Sequence, residues 1–387
     1  MRAMYQHLRK GIEKALIRKS LFAFFFLSMV FSVDGFCLSR YAGEYVYHAP
    51  EKLDDGWRVS SLEAEGVNTE RITRLTNQII DGKYKGFHSM LIVRNGAIVH
   101  EIYFGKYRRR SLHTIYSITK SVTSALIGIA IDKGFIKGVD ETIESLLPEY
   151  VSAIEDERVK DIKLKHMLTL TSGLEWDERS YPYGDSRNSE YHQVRSDDWV
   201  EYVLRRPLRD EPGSRWIYNT GSIHVLSAVI KSKTGQYANE FAEKYLFEPL
   251  GITRYKWNTD PMGYQCTGGT HGGLRLTTRD IAKFGFLFMN NGKWKGKQVV
   301  SSEWVRESTR KHITAFQTSD YGYLWWRSGF TLMDRRIEFF YAAGYGGQSL
   351  TLVPELDLMF VFTCWGREKD ADIFAPMITI LKATLEG

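Results

Sequence analysis

The sequence predicts an α+β fold: an antiparallel β-sheet flanked by helices, with an all-helical lobe inserted into it. Three observations carry this. Two β-rich runs, 89–93 and 97–103, meet at Asn95-Gly96, a strong short signal for a tight hairpin. Three more β-rich runs, 321–326, 337–342 and 349–364, gather near the C-terminus, the last broken at Pro354-Glu355. Between the two sets, residues 135–265 read as helices joined by long polar loops. The expected organisation is a sheet domain from 45–134 and 266–387, with 135–265 as the lobe.

The elements follow in order. Residues 68–80 form an amphipathic helix, with Asn68 as cap and Ile72, Leu75, Ile79 and Ile80 as its apolar stripe. After the hairpin, Tyr116-Ser117-Ile118-Thr119-Lys120-Ser121 opens a helix whose run 122–131 is apolar nearly all round, so the helix is expected to be buried. It stops at Gly134, a natural residue just past a helix end. Residues 162–170 and 199–204 are short helical candidates, and 222–233 is a longer one. The loop 175–193 is too long for a mere connection and is expected to line a site. Further helices are expected over 278–290, 302–310 and 372–385.

The chain of 387 residues has ordinary hydrophobic (43%) and charged (25%) fractions and a high aromatic content of 14%. Residues 1–35 read as a signal segment, in which six basic residues flank or precede the apolar run 21–33. That run is short for a membrane span. A periplasmic or secreted protein is the first expectation, and a membrane anchor through 21–33 the alternative. Against only Glu13 and Asp34, the segment carries four of the chain's six net positive charges. The remainder is near neutral, which gives no case for a nucleic-acid partner. Cys266 and Cys364 are distant in sequence, and their pairing or separate burial stays open.

Ser117 and Lys120 are three residues apart on one helical face. A serine hydroxyl needs a base to become a nucleophile, and a buried lysine amine can serve as one. The helix start also offers free backbone N–H groups for an oxyanion. A second cluster, Pro212 to Ser222, places Tyr218 just before a helix, where its hydroxyl can relay a proton beside a lysine. A third, Ala343-Gly344-Tyr345-Gly346-Gly347-Gln348, precedes a strand whose N–H can be a second oxyanion donor. Lys233-Thr234-Gly235 is set aside, because it ends a helical run and Gly235 reads as the helix stop.

In this order and spacing, the clusters resemble the serine β-lactamase and penicillin-binding-protein superfamily. The likeness is to its class C-type branch, with 6-aminohexanoate-dimer hydrolases and family VIII-like carboxylesterases. It covers about residue 50 to the C-terminus and includes Leu168-Thr-Leu-Thr-Ser-Gly-Leu174 and Gly273-Leu-Arg-Leu-Thr-Thr-Arg-Asp280. The resemblance implies a β-lactamase/transpeptidase-like fold and an acyl-enzyme mechanism without a cofactor. It implies Ser117 as nucleophile, Lys120 as base, Tyr218 as relay, and the backbone N–H groups of Ser117 and Gln348 as oxyanion hole.

Two departures bear on the substrate. Thr220 stands where β-lactamases have Asn, and its hydroxyl can still bond Lys120. Tyr345 stands where Lys or His usually grips a carboxylate. With Gly346 and Gly347 beside it, the expected substrate is a small ester or amide lacking that carboxylate. β-Lactamase, D-Ala-D-Ala carboxypeptidase or D-aminopeptidase activity is the alternative within the family. A non-catalytic module binding cell-wall peptides is the alternative outside it. His192, His224 and His271 have no metal-ligand spacing, and no G-x-S-x-G elbow occurs.

Overall fold

The architecture follows from how the strands divide their side chains. The computed structural model describes residues 44–365 and 372–387, and the expected signal segment lies outside them. The main sheet has nine strands, numbered in chain order: β1 Arg58–Val59, β2 Phe87–Arg94, β3 Ala97–Tyr103, β4 Ile313–Phe316, β5 Ser319–Tyr321, β6 Trp326–Leu332, β7 Arg335–Gly344, β8 Gln348–Val353 and β9 Leu358–Cys364. Their spatial order is β1-β3-β2-β9-β8-β7-β6-β5-β4. All pairs are antiparallel except β1 with β3, which is parallel.

The helices of twelve or more residues among those described are α1 Thr69–Ile80, α2 Ile118–Asp132, α3 Thr220–Thr234, α4 Thr278–Met289 and α5 Phe374–Leu385. Successive strand residues point to opposite faces. Leu91, Val93, Leu350 and Val361 therefore join a core with α2, α3 and α4. Met90, Ile92, Phe360 and Phe362 join another with α1 and α5. Asn68 caps α1 by accepting from the Arg71 N–H at 2.9 Å, as its sequence predicts. Gly235 ends α3 with φ at +73°, so Lys233-Thr234-Gly235 is indeed a helix stop.

One sequence expectation needs correction, and several elements had not been read. Residues 321–326 are not one strand. The chain leaves β5 at Tyr321, turns with Leu324 at φ +63°, and re-enters the sheet at Trp326. The turn is forced by packing: a Cβ on Gly322 would lie 2.2 Å from the Ser308 carbonyl oxygen. β4 and β6 escaped notice because no residue of either is fully buried and β4 is only four residues long, so neither shows a clear apolar face. A small second sheet of His113–Thr114, Leu274–Leu276 and Lys256–Trp257 also went unread. It ties the segment entering α2 to the glycine-rich segment 268–273. Cys266 and Cys364 are both buried free thiols.

α2 is buried on every side from Ile118 to Ala130. Its Gly128 tests how tightly. In an open helix Gly→Ala stabilises by roughly 1 kcal/mol. Here a Cβ would stand 2.3 Å from the buried Trp304 ring. Gly128→Ala should reverse the usual sign and cost about 1–3 kcal/mol, read from urea unfolding. A gain in stability would show that Trp304 yields freely.

Candidate active site

Ser117 is the residue before the first turn of α2, yet its side chain makes no capping hydrogen bond. Its hydroxyl is engaged elsewhere. The Lys120 Nζ donates to Ser117 Oγ at 2.9 Å, and the Tyr218 hydroxyl donates to the same oxygen at 2.7 Å. Lys120 is only 2% exposed, because α2 carries it into the core. Nζ also donates to Thr220 Oγ1 at 3.1 Å and to the Gly268 carbonyl oxygen, and it lies 4.7 Å from the Tyr218 ring centre.

Local backbone constraints set this geometry. Tyr116 sits at φ +47°, an uncommon conformation for a bulky residue. It is held there by its N–H bond to the Gly272 carbonyl at 3.1 Å. Gly269 allows the approach, since a Cβ would lie 2.8 Å from the Tyr116 carbonyl. From the other side, a Cβ on Gly344 would stand 2.3 Å from the Ile115 carbonyl oxygen. Gly344 thus admits the Ile115 backbone, and Gly346 and Gly347, at φ +80° and +91°, turn β7 into β8.

Glu178 was not singled out, though the loop holding it was. It is 3% exposed and accepts four bonds: from Trp176 Nε1 at 2.6 Å, the Thr220 N–H at 2.7 Å, the Thr220 hydroxyl at 2.6 Å and the Tyr183 hydroxyl at 3.2 Å. The Thr220 proton is thus committed to Glu178, which leaves Thr220 Oγ1 an acceptor toward Lys120. Buried Asn188 pins the loop by donating to the Glu178 and Tyr181 carbonyls. A serine hydroxyl held between an amine and a phenol, with that amine fixed by two further acceptors, is equipped for proton transfer at the serine oxygen.

The Beta-lactamase family profile matches residues 78–376. The chain belongs to the Beta-lactamase family. It is similar to a 6-aminohexanoate-dimer hydrolase of Paenarthrobacter ureafaciens, 25% identical over 294 residues, covering 70% of this chain and 71% of that protein. Its fold is like that of EstCE1, a hydrolase with promiscuous acyltransferase activity. That structure has a TM-score of 0.66 and 18% identity over 84% of this chain and all of the other. A family VIII carboxylesterase gives 0.64 and 16%, covering 82% and 96%. Like its family, the protein is a serine hydrolase with the β-lactamase fold.

Within this family fold, Ser117 stands where two hollows meet. One is a cavity of about 360 Å³ lined by Thr220, Gly268, Thr270, Glu190, Arg275 and Tyr345. The other is a groove of about 790 Å³ with Tyr181, Tyr218, Phe316, Trp326, Tyr341 and Gly344 on its walls. Tyr345, 53% exposed, and Tyr183 border both. Arg275 forms no ion pair among the described residues, and its Nε has no partner. Gln348 opens β8 opposite Gly344. Its side chain is bound to the Cys364 backbone, so any part it takes in catalysis falls to its own backbone N–H.

Glu190 in the smaller cavity has its carboxyl raised to about 7, chiefly by burial, then by Glu178, with Lys120 opposing. Its folded pKa lies above the ordinary value of 4.5, so its contribution to stability is full below that value. The contribution is lost as pH rises toward and past 7. Discounted for its access to solvent, the effect is about 2 kcal/mol. In urea unfolding at pH 5 and pH 8, Glu190→Gln should lose less stability over the interval than wild type by that amount. Equal losses would show that Glu190 is ionised at both pH values.

Proposed function

We propose that the protein hydrolyses an ester or amide through an acyl-enzyme on Ser117. The observation that carries this reading is the Ser117 hydroxyl, bonded to both Lys120 and Tyr218 at the junction of two hollows. Gly268 O and Thr220 Oγ1 take two of the Lys120 donors, so in the neutral amine the lone pair faces Ser117. As Oγ attacks the carbonyl carbon, its proton passes to Lys120. The backbone N–H groups of Ser117 and Gln348 receive the oxyanion. Tyr218 gives its proton to the leaving oxygen or nitrogen as that bond breaks, and recovers one from Lys120. Water then attacks the acyl carbon by the reverse route and frees Ser117.

In this reading the lobe, 135–265, supplies Tyr218, Thr220 and Glu178, and the sheet segments, 45–134 and 266–387, supply Ser117, Lys120 and the oxyanion strand. Tyr345 brings no charge to the site, which favours substrates without a carboxylate. Arg275 favours a second reading, amides bearing a carboxylate, because an unpaired guanidinium lines the Ser117 cavity. The basic and then apolar segment before residue 35 supports export to the periplasm or beyond.

The test is turnover of p-nitrophenyl acetate and of small amides with and without a carboxylate. Wild type should turn over at least one class. Tyr218→Phe should lower kcat by about a hundredfold or more while leaving the fold intact. A well-folded wild type that cleaves none of them would support the binding-module alternative instead.

A further inference from the structure

Behind Tyr116 lies a third hollow of about 250 Å³, lined by His88, Tyr107, His113, Gln348, Cys364 and Trp365. Thr114 and Tyr116 line both this chamber and the Ser117 cavity, so they form the wall between them. The Tyr116 ring completes that wall. It stacks on Trp365, with centres 5.8 Å apart and planes at 19°, and meets Tyr345 edge-on at 5.7 Å.

The chamber's lining is uncharged at neutral pH. Burial lowers the imidazoles of His88 and His113 to about 4, and each is lowered further by a neighbour, Lys106 and His88 respectively. Burial raises the Cys364 thiol. The walls are flat: Tyr107 stacks on His88 at 3.7 Å, and His88 on His113 at 5.6 Å. One polar atom is unspent. His113 is 4% exposed, and its Nε2 has no hydrogen-bond partner. Such an orphan normally meets a polar group or water. A charged group entering here would lose its hydration without a counter-ion. The volume is below the usual range for a whole ligand, and suits one ring or a short chain.

We propose that Tyr116 is a specificity-determining partition, and that the hollow behind it is an extension of the site for an uncharged ring-bearing or short-chain group. The proposal rests on the hydrolase reading and adds the residue that limits how deep a substrate group can reach. In wild type the ring closes the extension, and the enzyme prefers the shorter group on that side of the scissile bond. A residue at φ +47° that is not glycine is costly. Its retention beside the nucleophile fits a side chain that serves the site.

Tyr116→Gly removes the ring and suits the left-handed backbone, and Tyr116→Asn is a second small residue tolerant of it. Two ester series are compared: p-nitrophenyl esters with acyl groups from acetyl to phenylacetyl, and acetates of alcohols from ethanol to benzyl alcohol. In one series, both variants should raise the kcat/KM ratio of the ring-bearing over the smallest ester about tenfold, and Tyr116→Phe should leave it unchanged. Adding His113→Phe, which fills the chamber from behind, should cancel the gain. Unchanged ratios in both series for both small variants would overturn the partition while leaving the hydrolase reading intact. Should wild type turn over no ester, Ser117 labelling by ethyl and benzyl fluorophosphonates replaces turnover. The benzyl-to-ethyl rate ratio must then rise in the small variants, or the partition is rejected.

Discussion

Everything at the site depends on one buried amine. Lys120 lies in a helix surrounded by protein, and a lysine there is tolerated only if its polar head is met. Ser117, Thr220 and the Gly268 carbonyl meet it. Each partner comes from a different part of the chain: the start of α2, the start of α3 and the glycine-rich segment just before Leu274–Leu276 of the small sheet. The amine therefore fastens three elements at a point, and the same fastening aims its nitrogen at a serine oxygen. Stability and reactivity share the geometry.

The supports lie one step further out. Glu178 fixes the Thr220 proton, so Thr220 offers only an acceptor to Lys120. Gly269 and Gly344 let two backbones close on residues 115–117. A hydroxyl held from both sides is set before any substrate arrives, which is the preorganisation that acyl transfer needs. The two hollows that meet at Ser117 then differ in size and lining, the smaller holding Glu190 and Arg275, the larger holding Phe316, Trp326 and Tyr341 beside Glu178 and Arg179.

Much of this was legible in the sequence because it rests on local patterns. Asn95-Gly96 specifies a hairpin, Asn68 a cap, and the unbroken apolar run after Lys120 a buried helix. Ser117, Lys120, Tyr218 and Thr220 were readable as motif positions, and the structure brings them within hydrogen-bonding distance. What escaped depends on contacts distant in sequence. Glu178 is one acidic residue in a polar loop, and only its burial against Trp176 and Thr220 distinguishes it. Arg275 sits in a phrase that was legible only as part of the family resemblance, with nothing to show that it lines a cavity. β4 and β6 lack a clear apolar face because no residue of either is fully buried. Gly344 belongs to a readable glycine-rich cluster, and the Ile115 carbonyl packed against it was invisible from the sequence.

The central claim is that Ser117, and no other serine, is the activated nucleophile. The most direct measurement is intact-mass spectrometry after exposure to a fluorophosphonate, with wild type and Ser117→Ala side by side. The account predicts one adduct on wild type and none on the variant. Equal labelling of both, or no labelling of a folded wild type, would contradict it.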